Sequence, residues 1–182
     1  FGDQTVLAVP YDTPVIGYGR RTVNTLRLWQ AEPVKNFDFE LFNEQKYDLA
    51  VMDRDRAEAI TSLLYPNDST DEGKKLRLKQ EYFLSSATIQ DLVRLYKKKH
   101  GDDFSRFSSE YAIQLNDTHP VCAIPELIRL LTENGTGFEQ ALRIAGEAFA
   151  FTNHTVMSEA MERWNVALFT EVLPHVYEYV KM

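Results

Sequence analysis

Cysteine is almost absent from this sequence, since Cys122 is the only one among 182 residues. A single cysteine excludes an internal disulfide framework and a metal site built from several cysteines, and it fits a reducing compartment, so we expect a cytoplasmic protein. Long apolar runs are also missing, because none approaches the ~18 residues that a membrane-spanning helix needs. The sequence therefore predicts no membrane partner.

An excess of basic charge is missing as well. The 20 Lys and Arg residues are outnumbered by 27 Asp and Glu residues, which gives a net charge of −7. Binding to nucleic acid needs clustered cations that neutralise phosphates, and the one basic cluster, residues 97–100, precedes Gly101. There it is better interpreted as the solvated carboxyl end of a helix. We therefore expect no nucleic-acid partner.

The sequence contains no motif for a nucleotide and no pattern for a metal. Its eight glycines are scattered, so neither the phosphate loop of ATP-binding proteins nor the glycine fingerprint of NAD-binding proteins is present. The four histidines lack the i,i+4 helical spacing of zinc ligands, and no cysteine accompanies them. We predict that no residue of this chain binds a metal.

What is present is typical of one soluble globular unit. Hydrophobic residues make up 44% of the chain and charged residues 26%, and a chain of this length buries about two thirds of its unfolded surface. We find no repeat, no low-complexity tract and no clear linker, so residues 1–182 are treated as one unit.

The first half of the chain predicts a hairpin followed by two long helices. Residues 6–9 and 22–29 have β-prone patterns, and the prolines and glycines between them indicate turns. Helical spacing covers residues 38–64, with one interruption allowed, and returns over residues 75–99. The polar residues 69–73 between these helices predict a loop.

The second half predicts one short buried strand and three helices. The strand covers residues 111–115, and Pro125 suits the first turn of a helix over residues 126–133. Thr136 and Glu139 resemble a capping box that opens a helix running towards Phe151. A last helix is predicted to start near Ser158, to pass Trp164 and to be kinked or ended by Pro174. The fold class is α/β and helix-rich, with several long helices and a few short strands.

Polar residues follow the predicted strand directly, in the run Asn116-Asp117-Thr118-His119. In open α/β folds, ligands gather outside the carboxyl ends of the strands, where such side chains could bind sugar hydroxyls or position a phosphate. The alternative is that Asn116, Asp117 and Thr118 cap the next helix while His119 bonds to the backbone. The residues alone leave both interpretations open.

Three further positions have a functional and a structural interpretation. Asn153-His154-Thr155 is a polar break between helices, which capping or turn formation also explains. Glu159 and Glu162 lie three residues apart, but in so acidic a chain such pairs usually mark a solvated face, and we infer no glycosidase carboxylate pair from them. Tyr65, beside a polar loop, could stack on a sugar ring or pack in the core.

Several ordered motifs resemble the α-glucan phosphorylases, the family of glycogen, maltodextrin and starch phosphorylases. The resemblance covers essentially the whole chain and is carried by these segments: Pro10-Tyr11-Asp12-Thr13-Pro14-Val15, Asn24-Thr25-Leu26-Arg27-Leu28-Trp29, Tyr65-Pro66-Asn67-Asp68, residues 72–83, Asn116-Asp117-Thr118-His119-Pro120, Ala123-Ile124-Pro125-Glu126-Leu127, Thr152-Asn153-His154-Thr155-Val156 and Glu159-Ala160-Met161-Glu162-Arg163-Trp164.

The resemblance implies a pyridoxal-phosphate-dependent glycosyltransferase. Such enzymes use inorganic phosphate to release glucose 1-phosphate from the ends of α-1,4-glucans in glycogen degradation and related carbohydrate metabolism. It also implies that this chain is an internal piece of a Rossmann-like N-terminal phosphorylase domain, that the lysine binding the cofactor lies outside it, and that the chain holds no catalytic and no cofactor-binding residue. The chain alone is then expected to be inactive.

The resemblance also assigns roles to individual residues. The loop with Asn67, Asp68 and Ser69 resembles the active-site gate of the family, and Ser69 stands where many members have Asn. The resemblance implies contacts with substrate from Asp68, Ser69, Asp117, His119 and His154, and contacts with the glucan chain from Tyr65 and Glu159. Leu95 replaces the second of two arginines that help bind activating nucleotide in animal enzymes, so we expect allosteric control to be absent.

Two other classes of function stay open at this point. A free-standing glucan-binding or assembly module would need the loops after Leu64, Leu115 and Phe151 to form a pocket without help. A hydrolase would need two acids about 5 to 10 Å apart across a groove. Because the resemblance implies surfaces that a longer chain would cover, we also predict self-association.

Overall fold

The structure is a computed structural model that describes residues 1–154, 156–157 and 161–182. The first half contains β1 (Val6–Ile16), β2 (Val23–Pro33), α1 (Phe39–Asn43), α2 (Tyr47–Ser62) and α3 (Asp71–His100). The second half contains α4 (Phe107–Glu110), β3 (Ile113–Asn116), α5 (Ala123–Glu133), α6 (Phe138–Ala148), β4 (Phe149–Thr152), α7 (Val166–Val172) and α8 (Pro174–Val180). The helix-rich α/β composition is confirmed.

The hairpin is confirmed, but its strands are longer than the sequence predicted. β1 and β2 pair antiparallel from Val6 with Pro33 to Ile16 with Val23. The prolines at positions 10 and 14 were interpreted as turn signals, yet β1 runs through both. A strand in a two-stranded sheet has an unpaired edge, where a residue without an N–H group costs no ladder hydrogen bond. Large apolar side chains of both strands are exposed, among them Tyr11, Val15, Ile16, Leu26 and Leu28.

The two long helical regions also form. The predicted interruption of residues 38–64 lies between α1 and α2, where Gln45 has a φ of 63°. α3 spans 30 residues and begins at Asp71, because the Thr70 side chain accepts a hydrogen bond from the Gly73 N–H group. The loop predicted at residues 69–73 was therefore placed too late, and the residues between α2 and α3 form it. We call residues 63–70 the gate loop.

A β–α–α–β unit organises the second half of the chain. β3 and β4 pair in parallel, with Asn116 opposite Thr152, and α5 and α6 connect them. The sequence missed β4 and predicted helix as far as Phe151, because four residues that pair with a distant strand carry little local signal. The predicted capping box is also wrong, because the N-cap of α6 is Gly137 rather than Thr136 and no side chain caps this helix.

The main hydrophobic core lies between α3, α4, α5 and α6. Tyr96, Phe104 and Phe107 are at most 2% exposed and pack their rings together, and Leu127 and Leu131 of α5 are fully buried beside them. A second cluster joins Leu78 and Tyr82 of α3 to buried residues of α7 and α8, Leu168, Val172, Leu173 and Val176. The long helix α3 therefore contributes buried residues to both clusters.

The end of the chain differs from the prediction. Residues 161–165 are not helical, and α7 begins only at Val166, where the Asn165 side chain accepts hydrogen bonds from the next N–H groups. The predicted start near Ser158 lies outside the described residues. Pro174 does separate α7 from α8, as predicted. In the part of the chain that the structure describes, no helix combines the length and the apolar character that crossing a membrane requires.

Candidate functional site

The carboxyl ends of β3 and β4 bring two of the predicted site residues together. Asp117 follows β3 and His154 lies just beyond β4, and the Oδ1 atom of Asp117 accepts a hydrogen bond of 2.7 Å from the His154 N–H group. The His154 ring completes the link, with 3.1 Å between its Nε2 atom and the Asn116 Oδ1 atom. Because the two strands are parallel, their following loops must lie at the same edge of the sheet.

Asp117 does not cap the next helix. Its backbone has a φ of 60°, a left-handed conformation that Asp tolerates better than most residues. α5 has Cys122 as its N-cap and no side-chain capping bond. The capping interpretation of Asn116, Asp117 and Thr118 is therefore wrong.

A second group of polar residues lies beside His119. The Nδ1 atom of His119 is 3.1 Å from the Glu162 Oε1 atom and 3.7 Å from the Glu81 Oε1 atom. Arg77 donates to the same two carboxylates: its Nε atom is 3.2 Å from Glu81, and its Nη2 atom contacts Glu162. We call Arg77, Glu81, His119 and Glu162 the acidic cluster.

The two carboxyl groups of the acidic cluster are largely buried, and this affects the pKa of Glu81. The side chain of Glu81 is 11% exposed and that of Glu162 is 9% exposed. Burial first, and then the neighbouring charge of Glu162, raise the pKa of Glu81 to about 8. The raised pKa favours the protonated form of Glu81, which lowers the repulsion between the two carboxyl groups that share Arg77.

The gate loop lies against α3 and joins this cluster. The Asp68 Oδ2 atom accepts a hydrogen bond of 2.7 Å from the Arg77 Nη1 atom. The loop backbone packs so closely that a Cβ atom at Gly73 would lie 1.8 Å from the Asn67 carbonyl oxygen. Only glycine leaves room for this approach. At the other end of the loop, the Gln80 side chain donates to the Leu63 carbonyl oxygen at 2.8 Å.

Two open grooves border the acidic cluster. One of about 150 Å³ is lined by Tyr65, Leu84, His119 and Pro120 and by parts of the cluster. The other, of about 850 Å³, is lined by Asp68, Arg77, Glu162 and Trp164 with neighbouring residues of α3 and α7. A further groove of about 980 Å³ lies between β1 and α3 and contains none of the predicted site residues.

The structure thus brings together most of the residues that the sequence singled out. Asp117 contacts His154, Asp68 reaches His119 through Arg77 and Glu162, and Tyr65 shares a groove with His119. Ser69 is exposed, and its N–H group donates to the Asn67 side chain at 3.0 Å. Glu159 and Thr155 lie outside the described residues.

Two residues of the acidic cluster were missed by the sequence analysis, and a third was misread. Arg77 and Glu81 were not singled out, because an i,i+4 pair on a long charged helix is usually exposed. Glu162 was assigned to a solvated face, which is wrong, since it is nearly buried and contacts His119 from 43 residues away. Its Oε2 atom is buried without a hydrogen-bond partner among the described residues. Only the fold could reveal these contacts.

The acidic cluster also has the residue types of a metal site. Ligand atoms of Glu81, His119 and Glu162 all lie within 4.8 Å of one another. However, the Arg77 guanidinium already contacts both carboxylates and supplies the positive charge that a cation would bring. We therefore assign no metal to this cluster.

Comparisons with known proteins agree with the resemblance seen in the motifs. The family model described as carbohydrate phosphorylase matches residues 1–182. The human brain form of glycogen phosphorylase is 49% identical over 97% of this chain, and the human liver form is 48% identical over the same share. The bovine brain form is 50% identical over 94% of the chain.

These relatives are much longer than the chain, which covers 22% of the human brain form and 21% of the bovine one. The match nevertheless extends over nearly all of the chain's own residues, including the gate loop, the acidic cluster and both loops at the edge of the parallel strands. The chain belongs to the carbohydrate phosphorylase family.

Proposed function

We propose that this chain is an internal piece of the N-terminal domain of an α-glucan phosphorylase, an enzyme that uses inorganic phosphate to release glucose 1-phosphate from glucan ends. The observation that carries the proposal is the family match over residues 1–182, together with about 49% identity to proteins named glycogen phosphorylase. The parallel pair of β3 and β4, with two helices between them, supports a place in a Rossmann-like sheet. The cytoplasm is the compartment we propose for this enzyme.

In this proposal the chain contributes one wall of the active-site cleft. Asp68, Ser69, Asp117, His119 and His154 contact the glucosyl unit being transferred, and Tyr65 and Glu159 contact the glucan chain. Support comes from geometry: the gate loop, the loop after β3 and the loop after β4 are linked by hydrogen bonds, and Tyr65 is 78% exposed beside the smaller groove. Exposed aromatic rings can stack on sugar faces.

The residues present do not suit the cofactor that the family match implies. Pyridoxal phosphate needs a lysine for its aldehyde and cations for its phosphate, whereas the site described above surrounds Arg77 with the carboxylates of Asp68, Glu81 and Glu162. We assign no residue of this chain to the cofactor and derive no chemical step through it. This is why we propose that the chain alone is inactive.

The first experiment is phosphorolysis of maltoheptaose by the purified chain with added phosphate and pyridoxal phosphate. We expect no glucose 1-phosphate, because the groups that bind phosphate and cofactor are expected outside the chain. The full-length natural protein that contains the chain is the matched positive control and should form product. Clear turnover by the chain alone, or none by the full-length protein, would contradict the proposal.

A glucan-binding module without catalysis is the second candidate, and one observation favours it. The loops after Leu64, Leu115 and Phe151 do meet, since Tyr65 shares a groove with His119 and Asp117 contacts His154. One wall of a two-domain cleft should still lose most of its affinity, because ligand pockets bury most of the ligand surface. Calorimetry with maltoheptaose separates the two candidate functions. We expect no heat of binding at millimolar sugar, whereas a submillimolar dissociation constant would favour the binding module.

We predict that the isolated chain self-associates. Leu7, Tyr11, Val15, Leu26 and Leu28 of the hairpin are each about half exposed or more. The strand register places them on one face of the hairpin, and contiguous apolar surface of this kind drives association. Sedimentation velocity between 5 and 200 µM should show a rising average mass. Replacing Leu26 and Leu28 with Lys should reduce the association, and replacing Thr25, a polar residue on the opposite face of the hairpin, with Lys is the matched control. A monomer at all concentrations would contradict this prediction.

A further inference from the structure

Arg77 connects the gate loop to the rest of the site. The three nitrogen atoms of its guanidinium have different partners: Nη1 donates to Asp68, Nη2 to Glu162 and Nε to Glu81. The Arg77 side chain is 24% exposed, so these contacts are only partly open to solvent. A planar group held at all three nitrogens has a fixed orientation. Among the described loop contacts, its bond to Asp68 is the ion pair that ties the loop to α3.

We propose that Arg77 is a positioning residue that holds the gate loop in place through Asp68, and that one proton within the acidic cluster controls how firmly it does so. The functional meaning of this control rests on the proposed function, since the loop matters for substrate only if the cleft binds glucan. The structural part does not depend on it.

The charges around Arg77 explain the role of the proton. Three carboxylates, from Asp68, Glu81 and Glu162, face a single guanidinium. The charged or titratable groups packed against them from other elements are His119 and Cys122, from the segment between β3 and α5. Burial raises the pKa of the Cys122 thiol to about 12, so it stays neutral. Arg77 is therefore the fixed positive charge that these three carboxylates share.

A proton on Glu81 relieves this imbalance. Carboxyl oxygens of Glu81 and Glu162 lie within 4.8 Å of each other, and the buried Oε2 atom of Glu162 lacks a hydrogen-bond partner among the described residues. A proton on Glu81 removes one negative charge from this pair, and the repulsion between the two carboxyl groups falls with it. Arg77 is then shared by Glu162 and Asp68 alone.

The direction of the pH effect follows from the raised pKa of Glu81. At lower pH, Glu81 with its raised pKa favours the protonated form, and Asp68 feels the attraction of Arg77 with one competing carboxylate. As pH rises through this raised pKa, the proton is lost, and the added negative charge both competes for Arg77 and repels Asp68. The gate loop should therefore be held more weakly as pH rises from 7 to 9.

The test is amide hydrogen exchange of residues 63–70 in the full-length natural protein between pH 6.5 and 9, with rates divided by the intrinsic rate at each pH. We expect loop protection to fall across this range in the unchanged protein. Arg77→Gln should lower protection about fivefold at pH 7. Arg77→Lys should restore part of it, because an ammonium keeps the charge but cannot contact three carboxylates at once.

Glu81→Gln is the decisive variant. An amide at this position can still accept from Arg77 but cannot ionise, so loop protection should stay high and lose its dependence on pH. The matched control is Lys75→Gln on the same helix, which removes an ion pair with Glu171 and should leave both the loop and its pH response unchanged.

Two results would overturn the proposal. One is Arg77→Gln with loop protection equal to that of the unchanged protein, and the other is Glu81→Gln with the pH response intact. Neither result depends on catalysis. Phosphorolysis assayed on the same samples tests the proposed function separately. Absent activity with an intact pH response of the loop would contradict the proposed function but not the role of Arg77.

Discussion

Glu126→Ala lowers the free energy of unfolding of the chain by about 3 to 5 kcal/mol, and this is the largest stability effect we expect. Glu126 is fully buried, and its two oxygens accept hydrogen bonds from the Tyr82 and Ser86 hydroxyls and from Arg129, at 2.7 to 3.0 Å. Removing the carboxylate leaves the Arg129 charge, itself 14% exposed, without its buried partner. Urea unfolding followed by circular dichroism measures the loss, at one protein concentration because association shifts stability.

Glu133→Ala is the matched control, since Glu133 also contacts Arg129, at 2.7 Å. Its side chain is 54% exposed, so the loss should stay below about 1 kcal/mol. Equal losses in the two variants would show that the burial of Glu126 does not matter. A loss below 1 kcal/mol in Glu126→Ala would contradict the prediction outright.

The pH dependence of stability gives an independent check on the same residue. Burial by itself raises the pKa of Glu126. The hydrogen bonds and charge of Arg129, together with the hydrogen bonds from Ser86 and Tyr82, lower the pKa by more than burial raises it, so the net pKa lies below its ordinary value of 4.5. A group with a lowered folded pKa stabilises the fold above its unfolded pKa and loses that contribution as pH falls through the folded one. Glu126→Gln should therefore flatten the stability curve below about pH 4.5.

Glu126 also shows what the sequence could not predict. In the sequence it is one acidic residue among 27, at a helical position directly after Pro125. Its partners Tyr82 and Ser86 lie 44 and 40 residues away on α3. No local pattern separates a buried carboxylate from a solvated one, since burial depends on how α3 and α5 pack.

Local patterns did predict the elements that local interactions stabilise. The periodicity of α3 predicts a helix over residues 75–99, and Gly101 marks its end through a positive φ. The first turn, which begins after the Thr70 cap, was wrongly predicted as loop. β4 was missed because its four residues are stable as a strand only beside β3. The same distinction applies to the site: the loop after β3 was found from its position, whereas Arg77 and Glu81 were not.

Asp117 is the residue for which we expect the largest effect on catalysis. On the proposed function, Asp117→Ala in the full-length protein should lower kcat/KM for phosphorolysis of maltoheptaose about 100-fold, because small displacements of groups proposed to contact substrate cost about this much. The Asp117 carboxylate holds the His154 backbone at 2.7 Å, and the left-handed backbone of Asp117, with a φ of 60°, is unfavourable for alanine. Initial rates of glucose 1-phosphate formation measure the change.

Asp117→Asn is the control that separates position from charge. Asparagine tolerates the left-handed conformation and keeps an oxygen that can accept the hydrogen bond from the His154 N–H group. If Asp117 acts by holding the two loops together at the ends of β3 and β4, the asparagine variant should retain activity within about fivefold. If both variants lose activity equally, activity requires the negative charge itself, and the positioning argument for this residue fails.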